Sequence, residues 1–114
     1  MSGATPEGHT PLTPAVFHVL LALSDGPLHG YAIMRRVEEE SGIEMGPGTV
    51  YGSLQRMEDA GLVREADLDD EDARRRSYRL TDDGRSALRA EAVRLNRLAA
   101  LTRERRLVPE GDLR

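Results

Sequence analysis

The chain has 114 residues, no cysteine, no tryptophan and one phenylalanine. That length suits a single domain, and the lack of cysteine excludes disulfides, iron–sulfur clusters and thiolate zinc sites. All 16 basic residues are arginine, against 20 acids (11 Glu and 9 Asp), and the resulting formal net charge of −4 argues, taken as a total, against a nucleic-acid partner.

Residues 1–11 are rich in Gly, Pro, Thr and Ser without any period, and are expected to form a flexible arm. Thr13-Pro14 reads as a helix start, with Thr13 as N-cap and Pro14 in the first turn. From Ala15 to Leu23 only His18 is polar. A helix apolar all round is buried on more than one side, here against its own domain and against a second subunit. Ser24-Asp25-Gly26-Pro27 breaks it. His29 to Ser41 forms the next helix, with Gly30, Ile33, Met34 and Val37 inside, Glu38 to Glu40 wet, and Gly42 as the stop. The third helix runs from Pro47 to about Ala60. Val50, Leu54, Met57 and Gly61 form its inner stripe, and Gly48, Thr49, Gly52, Gln55, Arg56 and Asp59 its outer face. Leu62–Ala66 and Arg76–Leu80 read as two short strands around the acidic tip at 67–72. Thr81 then caps a last helix reaching to about Leu107, with Asp82 and Asp83 favouring its N-terminal dipole. Leu88, Ala92, Leu95, Leu98, Ala99 and Thr102 give that helix a narrow apolar stripe, longer than so small a core can cover, which points to a second subunit.

The order of elements predicts a mainly α fold with a small β-hairpin wing (α+β), a winged helix-turn-helix with a long C-terminal dimerisation helix. The units are a flexible arm at 1–11, a winged helix-turn-helix DNA-binding domain at 12–80, a dimerisation helix at 81–108 and a tail at 109–114. In such pairs the second helix of the motif enters the major groove. Here its N-terminus offers free N–H groups to phosphate. Gly48 and Gly52 permit close approach, and Thr49, Gln55 and Arg56 carry donors and acceptors that read bases or phosphates. Tyr51 and Ser53 flank that face as phosphate contacts. A plain amphipathic helix with a solvated face is the competing reading. Arg74, Arg75 and Arg76, with Arg79 beyond, suit a wing that follows phosphates or enters a narrow minor groove, unless they pair with Asp69, Asp70, Glu71 and Asp72 nearby.

Four segments resemble one family. Gly26-Pro27-Leu28-His29-Gly30-Tyr31-Ala32-Ile33 is similar to the second-helix entry of PadR-like transcriptional regulators. Gly46-Pro47-Gly48-Thr49-Val50-Tyr51-Gly52-Ser53-Leu54-Gln55-Arg56-Met57-Glu58 resembles the family's recognition helix. Gly61-Leu62-Val63 and Arg76-Ser77-Tyr78-Arg79-Leu80-Thr81-Asp82-Asp83-Gly84 resemble its wing strands and final-helix cap. The resemblance covers about residues 12–107. It implies a homodimeric winged-helix repressor binding double-stranded DNA at a near-palindromic operator, with Thr49, Tyr51, Ser53 and Arg56 on DNA. It also implies a dimer built by the first and last helices, here through Leu12, Val16, Phe17, Leu20, Leu88, Leu95, Leu98 and Thr102. Small molecules near the dimer interface release some members from DNA, so an effector there is expected. The short C-terminal part is similar to the family's smaller members. Gly52 and Gln55 depart from the family, where larger residues and lysine are common, which shifts affinity toward the wing arginines.

Other chemistry finds little support. His29 either touches a phosphate or fixes the entry of its helix, the latter reading being favoured, and His18 suits an interface. No histidine pair has metal-ligand spacing, so neither metal nor cofactor is expected. No nucleophile–base signature or phosphate loop is present, so the chain is not expected to be an enzyme. No apolar run nears the roughly 18 residues needed to span a bilayer, and Met1-Ser2-Gly3-Ala4-Thr5 lacks a leader pattern, so no membrane partner and a cytoplasmic location are expected. The alternative function is a winged-helix protein-interaction module without DNA binding, which would carry an exposed apolar patch on the third helix. The charge itself is local. Residues 81–106 hold seven arginines against four acids, and because screening limits charges to about 8–10 Å, the clusters at Arg56 and at Arg74–Arg76 with Arg79 can meet phosphates while distant acids are muted.

Overall fold

The computed structural model describes residues 11–66 and 76–112. The expected arm lies outside the described residues apart from its last position, as do the acidic tip, Arg74, Arg75 and residues 113–114 of the tail. The described elements are α1 (Pro14–Ala22), β1 (Leu28–His29), α2 (Gly30–Ser41), α3 (Pro47–Asp59), β2 (Val63–Ala66), β3 (Ser77–Leu80), α4 (Asp82–Glu104) and a single turn at Glu110–Asp112.

Local sequence explains where the helices begin and end. The Thr13 hydroxyl accepts from the Val16 N–H at 3.3 Å, and Pro14 opens α1. Gly42 ends α2 in the left-handed region at φ 75°, where a β-carbon would be strained. The Thr81 hydroxyl does two jobs. It accepts from the Gly84 N–H at 3.0 Å, capping α4, and donates to the Gly61 carbonyl at 2.6 Å, tying α4 to the turn after α3. Helix α4 ends at Glu104, earlier than the Leu107 expected from sequence.

The wing differs from the two-stranded hairpin expected. It is a three-stranded antiparallel sheet in the order β1-β3-β2, in which Leu28 pairs with Tyr78 and His29 with Ser77. Two residues are too few to show alternation, and they lead straight into a helix, so sequence assigns them to the helix entry. Within the hairpin, Val63 faces Leu80, Arg64 faces Arg79, Glu65 faces Tyr78 and Ala66 faces Ser77. Alternation therefore puts Leu28, Val63, Tyr78 and Leu80 on one face and His29, Arg64, Ser77 and Arg79 on the other.

Val63 and Tyr78 join a core made with Ile33, Val37, Val50, Leu54 and Met57. Two leucines expected at a dimer interface belong to this core instead. Leu20 is 0 % exposed and Leu88 7 %, so their own protomer encloses them. The reason is plain for α1: an all-apolar helix carries no sequence signal that separates its inner side, here Val19, Leu20, Ala22 and Leu23, from its outer one. Among the described residues no helix is long and apolar enough to cross a membrane.

Glu91, one of the four acids of residues 81–106, which as carboxylates are expected on exposed faces and at helix caps, is buried, only 1 % exposed. Its carboxylate accepts from the Leu12 N–H at 3.3 Å and from both Nε and Nη2 of Arg94. These bonds satisfy a charge that burial would otherwise strand, and they hold the approach to α1 against α4. The same carboxylate holds the Arg94 guanidinium above its ordinary range. Glu91→Ala is expected to lower the melting temperature by roughly 5–10 °C. A calorimetric melt superimposable on that of the native chain would refute this role.

Tyr78 gives the stability a pH dependence. Burial raises its phenol above the ordinary 10.0, overriding the lowering hydrogen bond with Arg76. The folded state thus binds this proton more tightly than the unfolded chain does. Its contribution is intact below about pH 10 and is lost as pH rises through the folded value. Alkaline denaturation curves should show Tyr78→Phe with a flatter decline above that pH; identical slopes would contradict the assignment.

Candidate nucleic-acid interface

The N-terminus of α3 is open. Gly46 supplies no capping side chain and Pro47 no N–H. The first N–H of the helix to find a helical acceptor is that of Val50, on the Gly46 carbonyl at 3.1 Å. The exposed Gly48 and Thr49 amides therefore project from the positive end of the helix dipole.

Behind this end, α3 divides by its period. Val50, Leu54 and Met57 are buried, while Thr49, Gln55, Arg56 and Asp59 are exposed and Gly52 is half-buried. The Gln55 amide donates to Asp59 at 3.1 Å, one turn on. Arg56 lies back along the helix. Its Nη2 donates to the Ser53 hydroxyl at 3.3 Å, and its Nη1 would stand 3.6 Å from a β-carbon at position 52. Ser53, expected from sequence as a phosphate contact, is 0 % exposed and cannot reach one. It sits three residues after Val50 and four before Met57, on the inner stripe, a spacing that already marks it as buried. Its hydroxyl orients Arg56 instead.

Tyr51 is 45 % exposed, and its ring lies over Gly30 at the start of α2, where a β-carbon would collide with the phenol. Gly30 thus makes the seat that holds Tyr51 at the junction of α2 and α3. Tyr31, in the first turn of α2, is 66 % exposed and belongs to the same end of the motif. Sequence reasoning did not single it out, although the run Leu28-His29-Gly30-Tyr31 contains it. His29 caps α2 with its backbone, and its Nδ1 lies 2.8 Å from the Ser77 hydroxyl. The ring thereby ties the entry of α2 to the wing, which supports its role in fixing that entry over its role as a phosphate contact.

In the wing, Arg76 lies 3.9 Å from Glu65, and both side chains are more than half exposed. A pair of this kind adds little stability, and it leaves the guanidinium accessible. Arg74 and Arg75 fall outside the described residues.

The apolar residues expected at a subunit interface divide. Leu12, Val16 and Phe17 on the α1 side are half-buried, as are Leu95 and Thr102 on α4, and Leu98 is exposed. No residue of α4 beyond Glu91 is buried, and Val93 and Leu101 add apolar surface that the stripe read from sequence omits. A groove of about 320 Å³ between α1 and α3, lined by Leu12, Val16, Met57, Ala60 and Leu62 among others, adjoins Arg56.

A family model described as the transcriptional regulator PadR-like family matches residues 19–90. The chain belongs to the PadR-like family of transcriptional regulators. A transcriptional regulator of Mycobacterium tuberculosis is 33 % identical over 82 residues, covering 72 % of this chain and 76 % of that protein. An uncharacterised 37.1 kDa protein of a Streptomyces fradiae transposon is 48 % identical over 81 residues, 71 % of this chain. This PadR-like chain spans only 23 % of that relative's length. The crystal structure of a PadR family regulator from Clostridium difficile superimposes with a TM-score of 0.71, at 22 % identity, over 81 % of this chain and 97 % of that one. This likeness shows the winged-helix fold. Bacillus subtilis PadR, solved in complex with operator DNA, matches with a TM-score of 0.59 and 26 % identity, over 68 % of this chain and 46 % of that one.

Proposed function

We propose that this PadR-like protein is a homodimeric, sequence-specific DNA-binding repressor of the cytoplasm, relieved by a small-molecule effector at its dimer interface. One observation carries the DNA-binding reading. The outer face of α3 presents Thr49, Gln55 and Arg56 around Gly48 and Gly52, beside an uncapped N-terminus and the seated Tyr51. In this reading α3 enters the major groove, where Arg56 and Gln55 meet base edges. Tyr51 and the free amides hold phosphates, and Arg74, Arg75 and Arg76 follow the flanking backbone. The operator complex of Bacillus subtilis PadR supports the same partner for this chain.

The interaction-module alternative needs an apolar patch on α3. Tyr51 is the one large hydrophobic exposed on that helix among the described residues, and it is amphipathic. The homodimer rests on the distal half of α4, whose Leu95, Leu98 and Leu101 have no partner within the core. Two-fold symmetry then gives a near-palindromic operator with half-sites roughly 34–36 Å, one helical turn, or a multiple apart. A gel shift with the promoter DNA of the protein's own gene neighbourhood, at low salt, tests the reading. A discrete complex that survives excess random DNA is expected, and no complex with any neighbouring fragment would overturn it.

A further inference from the structure

The outer face of the sheet carries a second cationic centre that the recognition helix does not use. Arg64 on β2 and Arg79 on β3 stand directly opposite each other. Like charges so placed repel unless something lies between them. Where β3 hands over to α4, Arg85 joins them, and the three arginines line one recess of about 470 Å³ with Leu80, Thr81 and Asp82. Asp82 is the sole acid in that lining, which leaves it with a net charge of +2. All three arginines are exposed, and among the described residues no carboxylate forms an ion pair with any of them. The recess falls within the roughly 300–1,000 Å³ of ordinary small-ligand sites.

We propose that the recess at the base of the wing, formed by Arg64, Arg79 and Arg85, binds a phosphate-bearing anion. Guanidinium forks match phosphate oxygens in pairs, so one phosphate between Arg64 and Arg79 turns a repulsive cross-strand pair into a bridged one. Arg85 reaches the same group from the first turns of α4, linking the wing to the helix assigned to dimerisation. The phosphate has two sources, a free phosphorylated solute or the backbone of bound DNA.

Calorimetry on the full-length, DNA-free protein with inorganic pyrophosphate as probe reads the first source. Saturable binding is expected, weakened on the order of tenfold or more by Arg64→Ala, Arg79→Ala or Arg85→Ala, and unchanged by Arg103→Ala on distal α4. The salt dependence of DNA affinity reads the second, each of the three variants lowering the slope by about one. Pyrophosphate binding with unaltered slopes assigns the site to a free anion. Altered slopes without pyrophosphate binding assign it to the DNA backbone. The absence of both effects, in variants whose melting curves match the native one, overturns the proposal. Because the pyrophosphate arm needs no DNA, failure of the DNA-binding reading is separable from failure of this site.

Discussion

Gly84→Ala is expected to destabilise this protein by about 3 kcal/mol or more, a large part of the roughly 5–15 kcal/mol that holds a domain of this kind. A β-carbon at position 84 would run into the Leu62 carbonyl, and that carbonyl has nowhere to go. It accepts from the Thr81 N–H at 3.1 Å, while the Thr81 hydroxyl binds the adjacent Gly61 carbonyl and caps α4 at the Gly84 N–H. The added β-carbon therefore meets backbone, where the turn after α3 is tied to the start of α4. Nothing there can rotate away as a side chain would. Gly52→Ala is the contrasting control. Its β-carbon meets only the flexible end of Arg56, at an ordinary 3.6 Å. An alanine in the middle of a helix gains about 0.5–1 kcal/mol over glycine, so this variant should melt higher. Thermal unfolding of the two proteins side by side checks both signs, and a Gly84→Ala protein as stable as the native one would show that the junction is looser than described.

The second large effect concerns recognition. Arg56→Ala is expected to weaken operator binding by roughly 10–100-fold, equivalent to about 1–3 kcal/mol, and to relax base preference at one position of each half-site. The Arg56 side chain is held in place for this contact. Ser53 beneath it and the missing side chain at Gly52 beside it keep the guanidinium along the outer face of α3. Ser53→Ala should therefore lose part of the same affinity without contributing a DNA contact of its own. Arg75→Ala, in the wing, should weaken all sequences alike and reduce the salt slope by about one. Affinities measured over several salt concentrations, on operator and random duplexes, separate the two roles. A uniform loss from Arg56→Ala together with altered base preference from Arg75→Ala would exchange them.

These residues also show what a sequence of this kind discloses. Helix ends are legible because they rest on local chemistry: Thr13 and Thr81 as caps, Pro14 and Pro47 in first turns, Gly42 as a stop. The segments that resemble the PadR-like family include two of these, Thr81 and Pro47, and the winged helix they imply is the fold observed. Ser53, expected as a phosphate contact, and Glu91, expected on a solvated face, are both buried: polarity alone points outward even where the residue falls on an apolar stripe. Both lie at i+3 from a buried residue and i−4 from the next apolar one, so the period alone would have placed them inside. Strand β1 could not be read, since its two residues acquire their structure only by pairing with β3. Leu20 and Leu88 could not be divided between core and interface, because apolarity is the same on both. The opposition of Arg64 and Arg79 is a property of strand register, which no spacing along the chain reveals.

In the proposed function α3 lies in the major groove, once per subunit, about a two-fold axis. Dimethyl sulfate protection of a bound promoter fragment tests it most directly, since the guanine N7 it methylates is a major-groove atom. Two protected clusters of guanines are expected, roughly 34–36 Å or a multiple of that apart, with protection lost from both when Arg56 is replaced by alanine. A stable complex whose guanine N7 atoms all remain open to methylation would contradict it.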